Sequence, residues 1–165
     1  MFDTVFGLPV HPLVVHATVV LVPAAALAVA LAALWPAFRR RAGVVPLALS
    51  LVALVLVPLS TQSGEALERR VDHTATLERH TELADGLLPW VALLVVAAAA
   101  LYWHHRRSAG STTVPRLLVV AGIALGLVGA AGTTFQVIRI GHTGAEAAWS
   151  DVAKAAPHNG GDEGK

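Results

Sequence analysis

The sequence contains no cysteine and few charged residues. Only 14% of its 165 residues are Asp, Glu, Lys or Arg, whereas a soluble domain carries about 25%. The absence of cysteine excludes disulfides, thiolate-ligated iron–sulfur clusters and haem attached through a Cys-x-x-Cys-His motif. A bound metal or cofactor would therefore need histidine, carboxylate or backbone groups, and the low charge indicates a protein that lies in a membrane.

Hydrophobic residues make up 55% of the chain and fall into four long runs. A helix needs about 17 to 25 residues to cross the hydrocarbon core of a bilayer. We predict an all-α integral membrane four-helix bundle that forms one transmembrane domain over residues 1–150. The predicted spans are residues 12–37, 44–62, 84–104 and 115–139, and residues 151–165 are predicted to be a disordered polar tail.

The charges are segregated between the two ends of the predicted bundle. Arginines occupy the two short loops, at positions 39–41 and at 106, 107 and 116, and neither loop contains an acid. All eleven acidic residues lie on the opposite side. Because an excess of Lys and Arg marks cytoplasmic loops, we predict a multi-pass protein of the cell (inner) membrane with both termini on the outer side.

The two halves of the chain share a weak internal repeat. In the first half His16, Trp35, the arginine cluster, Pro46 and Ser63-Gly64 follow in order, and His80, Trp103, Arg106-Arg107, Pro115 and Thr143-Gly144 follow in the second. Two out–in–out hairpins of this kind would be parallel repeats about an axis along the membrane normal. Such an axis places His16 and His80 on opposite sides of a common centre, and chance similarity between two Ala/Val-rich hairpins is the alternative.

Six of the eight histidines lie on the predicted outer side, and four of them can converge there. These are His16, His80, His142 and His11. An ionisable residue within a membrane is by default a candidate functional group. The alternatives are that His16 hydrogen-bonds across the bundle and that His11 precedes the helix and meets lipid headgroups.

Three short segments carry a resemblance to a known family. "GLPVHPLVVH", "ERHTELADG" and "GHTGAEAAW" resemble the histidine-bearing elements of a bacterial family of four-helix membrane proteins, domain of unknown function 2231, over residues 7–149. One departure is Gly144-Ala145, where the family usually has Gly-Gly. The resemblance implies an architecture and a histidine set but no reaction.

The histidine set fits a b-type haem protein with one haem near the outer face. His16 and His80 are the predicted axial pair, His142 is the competing partner and His11 is the fourth candidate. Quinone or a redox protein on the outer side would then exchange electrons with the haem. The bilayer is the main predicted partner, and the sequence leaves self-association open.

Two other kinds of function fit the same residues. A single zinc, copper or iron ion could be held by His16, His80 and His142 with a carboxylate such as Glu82. A non-redox structural or partner-binding subunit could use its histidines as hydrogen-bonding or pH-sensitive groups. No catalytic arrangement and no nucleic-acid-binding surface is recognisable, so the sequence argues against an enzyme.

Overall fold

Helices form nearly all of the described chain. The computed structural model describes residues 4–5, 7–109 and 114–154. The helices of this part are α1 Val10–Leu34, α2 Pro36–Ala42, α3 Val45–Glu68, α4 Ala75–Asp85, α5 Leu87–Ala109 and α6 Arg116–Lys154. A short antiparallel pair of strands, β1 Thr4–Val5 and β2 Leu8–Pro9, precedes α1.

Four helical segments are long and apolar enough to cross a membrane, which confirms the predicted fold class. They are Val10–Leu34, Val45–Glu68, Ala75–Arg107 and Arg116–Trp149. The third of these joins α4 to α5 across Gly86. At 1.5 Å per residue, the 39 residues of α6 extend about 58 Å, so α6 reaches well past a hydrocarbon core of about 30 Å.

The ends of these helices follow local chemistry. α1 ends at Leu34, before the predicted 37, because Trp35 is extended (φ −121°, ψ 98°) and precedes Pro36; a residue before proline is disfavoured in the α conformation. α2 ends at Ala42, before Gly43, whose φ of 54° favours glycine. At the far end α6 continues through residues 151–154, and residues 155–165 of the predicted tail lie outside the described residues.

The helices pack in a ring with a pseudo-twofold arrangement. α1 packs against α3 and α6, and α5 packs against the same two helices. α1 and α5 also meet across the centre. Exchanging the first hairpin (α1, α3) for the second (α5, α6) therefore reproduces the same set of contacts.

The buried residues repeat in the same way. Between α1 and α5 the interval is 69 residues, and between α3 and α6 it is 80. The pairs Val22 and Val91, Ala25 and Leu94, and Ala53 and Thr133 all have no exposed surface. This match supports the predicted repeat of two hairpins.

The core is built in two halves along the bundle. One apolar cluster contains Ala26, Val29, Ala32, Ala33, Leu94, Ala97, Ala98, Leu101 and Ala130. The other contains Val22, Ala25, Ala53, Val57, Leu87 and Val91. We call the end beside the first cluster, with its arginines, the basic end, and the end beside the second, with His11 and His80, the histidine end.

Candidate functional site: a pair of matched histidines

His80 reaches the bundle on α4, a short helix. Thr74 caps this helix, and its side chain accepts a hydrogen bond from the backbone N–H of Leu77, which satisfies one of the free amides of the first turn. α4 packs against α6, and His80 lies on the face of α4 that meets α6. His73 precedes the cap, so His73 and His80 do not share a helix.

The ring of His80 is held by the backbone and a hydroxyl of α6. Its Nδ1 lies 3.1 Å from the carbonyl oxygen of Ile140 and 3.3 Å from Oγ1 of Thr143. A carbonyl can only accept a hydrogen bond, so Nδ1 carries the proton and donates it. In the neutral imidazole Nε2 is then unprotonated, and its lone pair is available to a ligand.

His11 has the same environment in the first hairpin. Its Nδ1 lies 3.1 Å from the carbonyl oxygen of Ser60 and 3.2 Å from Oγ of Ser63, both on α3. The Ser63 hydroxyl donates to the Ser60 carbonyl at 2.9 Å. The Nδ1–H of His11 is therefore fixed in the same tautomer as that of His80, with Nε2 again free of a proton.

A glycine lies against each imidazole. A Cβ at Gly64 would lie 3.1 Å from Cε1 of His11, and a Cβ at Gly144 would lie 3.0 Å from Cε1 of His80. Both distances are tighter than ordinary van der Waals contacts. Each glycine therefore lets the ring approach the backbone of the opposing helix.

His11 and His80 are pseudo-equivalent, separated by the 69-residue interval that relates the buried residues of α1 and α5. Each bonds to a carbonyl, to the hydroxyl three residues later, and packs on the glycine that follows. The two rings are close enough that positive charges on them would repel. The sequence repeat paired His16 with His80; the geometry pairs His11 with His80.

His16 lies elsewhere on α1. It is exposed, and its Nδ1 donates to the carbonyl of Pro12 on the same helix. Residues five apart on an α-helix point about 140° apart. His11 and His16 therefore cannot both face α3.

His142 is also exposed, although it is next to a residue of the site. Its neighbour Thr143 is buried and bonds to His80. Adjacent helical residues point about 100° apart, so the chain presents Thr143 to α4 and turns His142 away. Of the four predicted histidines, the structure brings His11 and His80 together and does not add His16 or His142 to them.

The described acidic residues of the histidine end form no metal-ligand group with the pair. Glu82 is exposed, and Glu68 lies 3.6 Å from the exposed His73. Among the described side chains, no three His, Cys, Asp or Glu residues are grouped closely enough to hold one metal ion. The candidate site therefore consists of two imidazoles.

An apolar layer closes the site toward the basic end. Val22 and Val91, eleven residues inward from His11 and His80, have no exposed surface. Val57 and Leu87 belong to the same cluster, and Ile140, whose carbonyl holds His80, packs against it. The two imidazoles thus lie above a layer of buried aliphatic side chains.

We expect the glycine beneath His80 to be energetically coupled to the ring. In Gly144→Ala the three heavy atoms nearest to the added methyl group all belong to the imidazole of His80. The double-mutant cycle with His80→Ala should give a coupling energy of at least about 0.5 kcal/mol, measured by denaturant unfolding in mild detergent. The cycle of Gly64→Ala with His11→Ala should give a coupling energy of similar size. Additive effects of the substitutions in both cycles would contradict this packing.

The carbonyl and hydroxyl partners of the imidazoles were missed in the sequence. Ser63-Gly64 and Thr143-Gly144 were recognised as a repeat but not as the groups that hold the rings. The usable signal was spacing: residues 60, 63 and 64 correspond to 140, 143 and 144 at the interval shared by α3 and α6. The carbonyls of Ser60 and Ile140 leave no signal, because a backbone acceptor does not depend on the side chain.

Comparison with known proteins identifies a family but no characterised relative. The family model described as "Predicted membrane protein (DUF2231)" matches residues 7–157. No curated protein matches the chain. No solved structure matches it either.

Proposed function

The chain belongs to this family of predicted membrane proteins, and we propose that it binds one haem b, with His11 and His80 as the residues that would hold the iron. The observation that carries the proposal is the matched pair of imidazoles. Each donates its Nδ1–H to a backbone carbonyl, and each keeps Nε2 for another partner. The sequence favoured His16 as the first ligand, and we now favour His11.

The donor set suits haem. A porphyrin occupies four coordination positions of its iron, so two imidazoles complete the shell without a third protein ligand. Metal-ligating histidines almost always donate the other ring N–H to a carbonyl, a carboxylate or water, which fixes the tautomer and raises the basicity of the ligand. When bound, the haem would supply one-electron redox chemistry.

The protein's own part is orientation and the exclusion of water. The hydroxyls of Ser63 and Thr143 and the glycines that follow them hold each ring against its helix. The apolar layer around Val22 and Val91 keeps solvent out on one side. Burial and hydrogen bonds to the axial ligands are among the factors that set a haem potential.

A single metal ion is the second candidate. Imidazole nitrogen suits zinc, copper and iron, and two free Nε2 atoms are part of such a shell. Zinc normally takes three or four protein ligands, and the described residues around the pair supply two. This count favours haem.

The charge pattern supports an orientation for the site. With the basic end on the cytoplasmic side, the histidine end faces outward and both termini lie outside the inner membrane. Electrons would then be exchanged with a quinol in the outer leaflet or with a redox protein on the outer side. The apolar layer beneath the site supports one haem rather than a two-haem path through the bilayer.

The test is a visible spectrum of the purified protein in detergent, oxidised and then reduced with dithionite, with metal analysis of the same sample. The proposal predicts a Soret band with sharp reduced bands and one haem per chain. A colourless protein with stoichiometric zinc, copper or iron would replace haem by the metal ion. A colourless, metal-free protein that also fails to bind added haemin would leave the histidines as structural or pH-sensitive groups.

A further inference from the structure

The segments that form the basic end contain arginines but no acidic residue. The sequence has no Asp or Glu between Asp3 and Glu65, and none between Asp85 and Glu146. These two stretches include α2, the start of α3, the end of α5 and the start of α6. The segments that form this end therefore supply no carboxylate of their own to balance its positive charges.

One of these arginines, Arg39, is partly buried against the bundle. Arg40, Arg41, Arg106 and Arg107 are exposed, whereas Arg39 is partly buried. Nη1 of Arg39 is buried and has no hydrogen-bond partner among the described residues. Phe38, the preceding residue, packs against the core and anchors α2 at this position.

The side chain of His104 lies near Arg39. His104, on α5, is close enough for the guanidinium charge of Arg39 to act on its ring, and α2 and α5 are in contact. Burial lowers the pKa of Arg39, and the charge of Arg40 lowers it further. An arginine nevertheless stays protonated in proteins, so this charge persists and its buried N–H requires an acceptor.

We propose that the basic end binds one phosphate group, with the guanidinium of Arg39 donating from Nη1 and His104 at its side. Phosphate suits this position because a guanidinium presents donors in a planar fork that matches its oxygens. The group could belong to an anionic lipid headgroup, since basic pockets between membrane helices bind such headgroups on the cytoplasmic side. It could equally be free phosphate, and this site is independent of the histidine pair.

Charge-conserving variants separate a built site from general attraction to an anionic surface. Arg39→Lys keeps the charge but loses the planar fork, and Arg40→Lys makes the same change at an exposed neighbour. Native mass spectrometry of the full chain in a non-ionic detergent, titrated with phosphatidylglycerol, gives the affinity of the first bound lipid. We expect Arg39→Lys to weaken it about tenfold or more, and Arg40→Lys to change it less than about twofold.

Two further arms identify the source of the phosphate and guard against misfolding. Thermal unfolding is followed by tryptophan fluorescence in millimolar inorganic phosphate, with chloride as the control. Stabilisation of wild type but not of Arg39→Lys indicates free phosphate. In the mass spectra, retention of one phosphatidylglycerol in preference to phosphatidylcholine indicates lipid. If Arg39→Lys is not obtained as folded protein, the wild-type protein alone decides between free phosphate and lipid. Equal losses in the two lysine variants, or no preference for either anion in wild type, would overturn the proposal.

Discussion

His11→Ala and His80→Ala are each expected to weaken haem binding at least about tenfold, because each removes a proposed ligand of the iron and losing even an outer partner of a ligand costs about 10- to 100-fold. The two variants should lose haem to a similar extent, since the two rings have equivalent partners. The measurement is a haemin titration of the apo protein in detergent, followed at the Soret band. The remaining haem should lose the spectrum of a bis-imidazole complex.

His16→Ala is the matched control for His11→Ala. It removes a histidine from the same helix at a position that is exposed and bonded only to Pro12 among the described contacts. Its haem affinity should stay within about twofold of wild type. Full retention of the bis-imidazole spectrum in His11→Ala would contradict the assignment of the ligands.

Gly132→Ala is expected to destabilise the protein by at least about 2 kcal/mol, as overpacking of a tight contact does. A Cβ at Gly132 would lie 2.1 Å from Cε3 and 2.2 Å from Cζ3 of Trp90, so the indole lies directly against the backbone of α6. Trp90 is on α5, which packs against α6, so the ring or one of the helices must shift to admit the added methyl group. Denaturant unfolding in mild detergent measures the change.

Gly141→Ala provides the control for this change. Gly141 is on the same helix, and a Cβ there meets nothing within 4 Å. The substitution should be neutral or stabilising by up to about 1 kcal/mol, because alanine favours a helix over glycine. Restored stability in the double variant Gly132→Ala with Trp90→Leu would identify the indole as the cause, and equal stability of Gly132→Ala and wild type would contradict the packing.

The four-helix fold was predictable because its signal is long and redundant. Each membrane span requires apolar residues over about 20 positions. An error of a few residues in the predicted end of a helix, as at Trp35, therefore does not alter the number of spans. α4 was not predicted as a separate helix because it is short and polar. Its signal was local and consisted of the cap residue Thr74, with Glu78 in the first turn.

The histidine pair was harder to predict, because it depends on which way single side chains point. His11 and His16 are five residues apart, and sequence alone favoured the one deeper in the apolar run. The structure favours the one that faces a carbonyl and a hydroxyl on α3. Counting from the histidines to the buried valines would have separated them: Val22 and Val91 lie eleven residues after His11 and His80, but Val22 is only six after His16.

The most direct test of the histidine pair is the oxidised and reduced spectrum of the double variant His16→Ala with His142→Ala, which leaves His11 and His80 intact. The account predicts one haem per chain and the same bis-imidazole bands as wild type. Loss of those bands in this variant, while wild type shows them, would contradict His11 and His80 as the ligand pair.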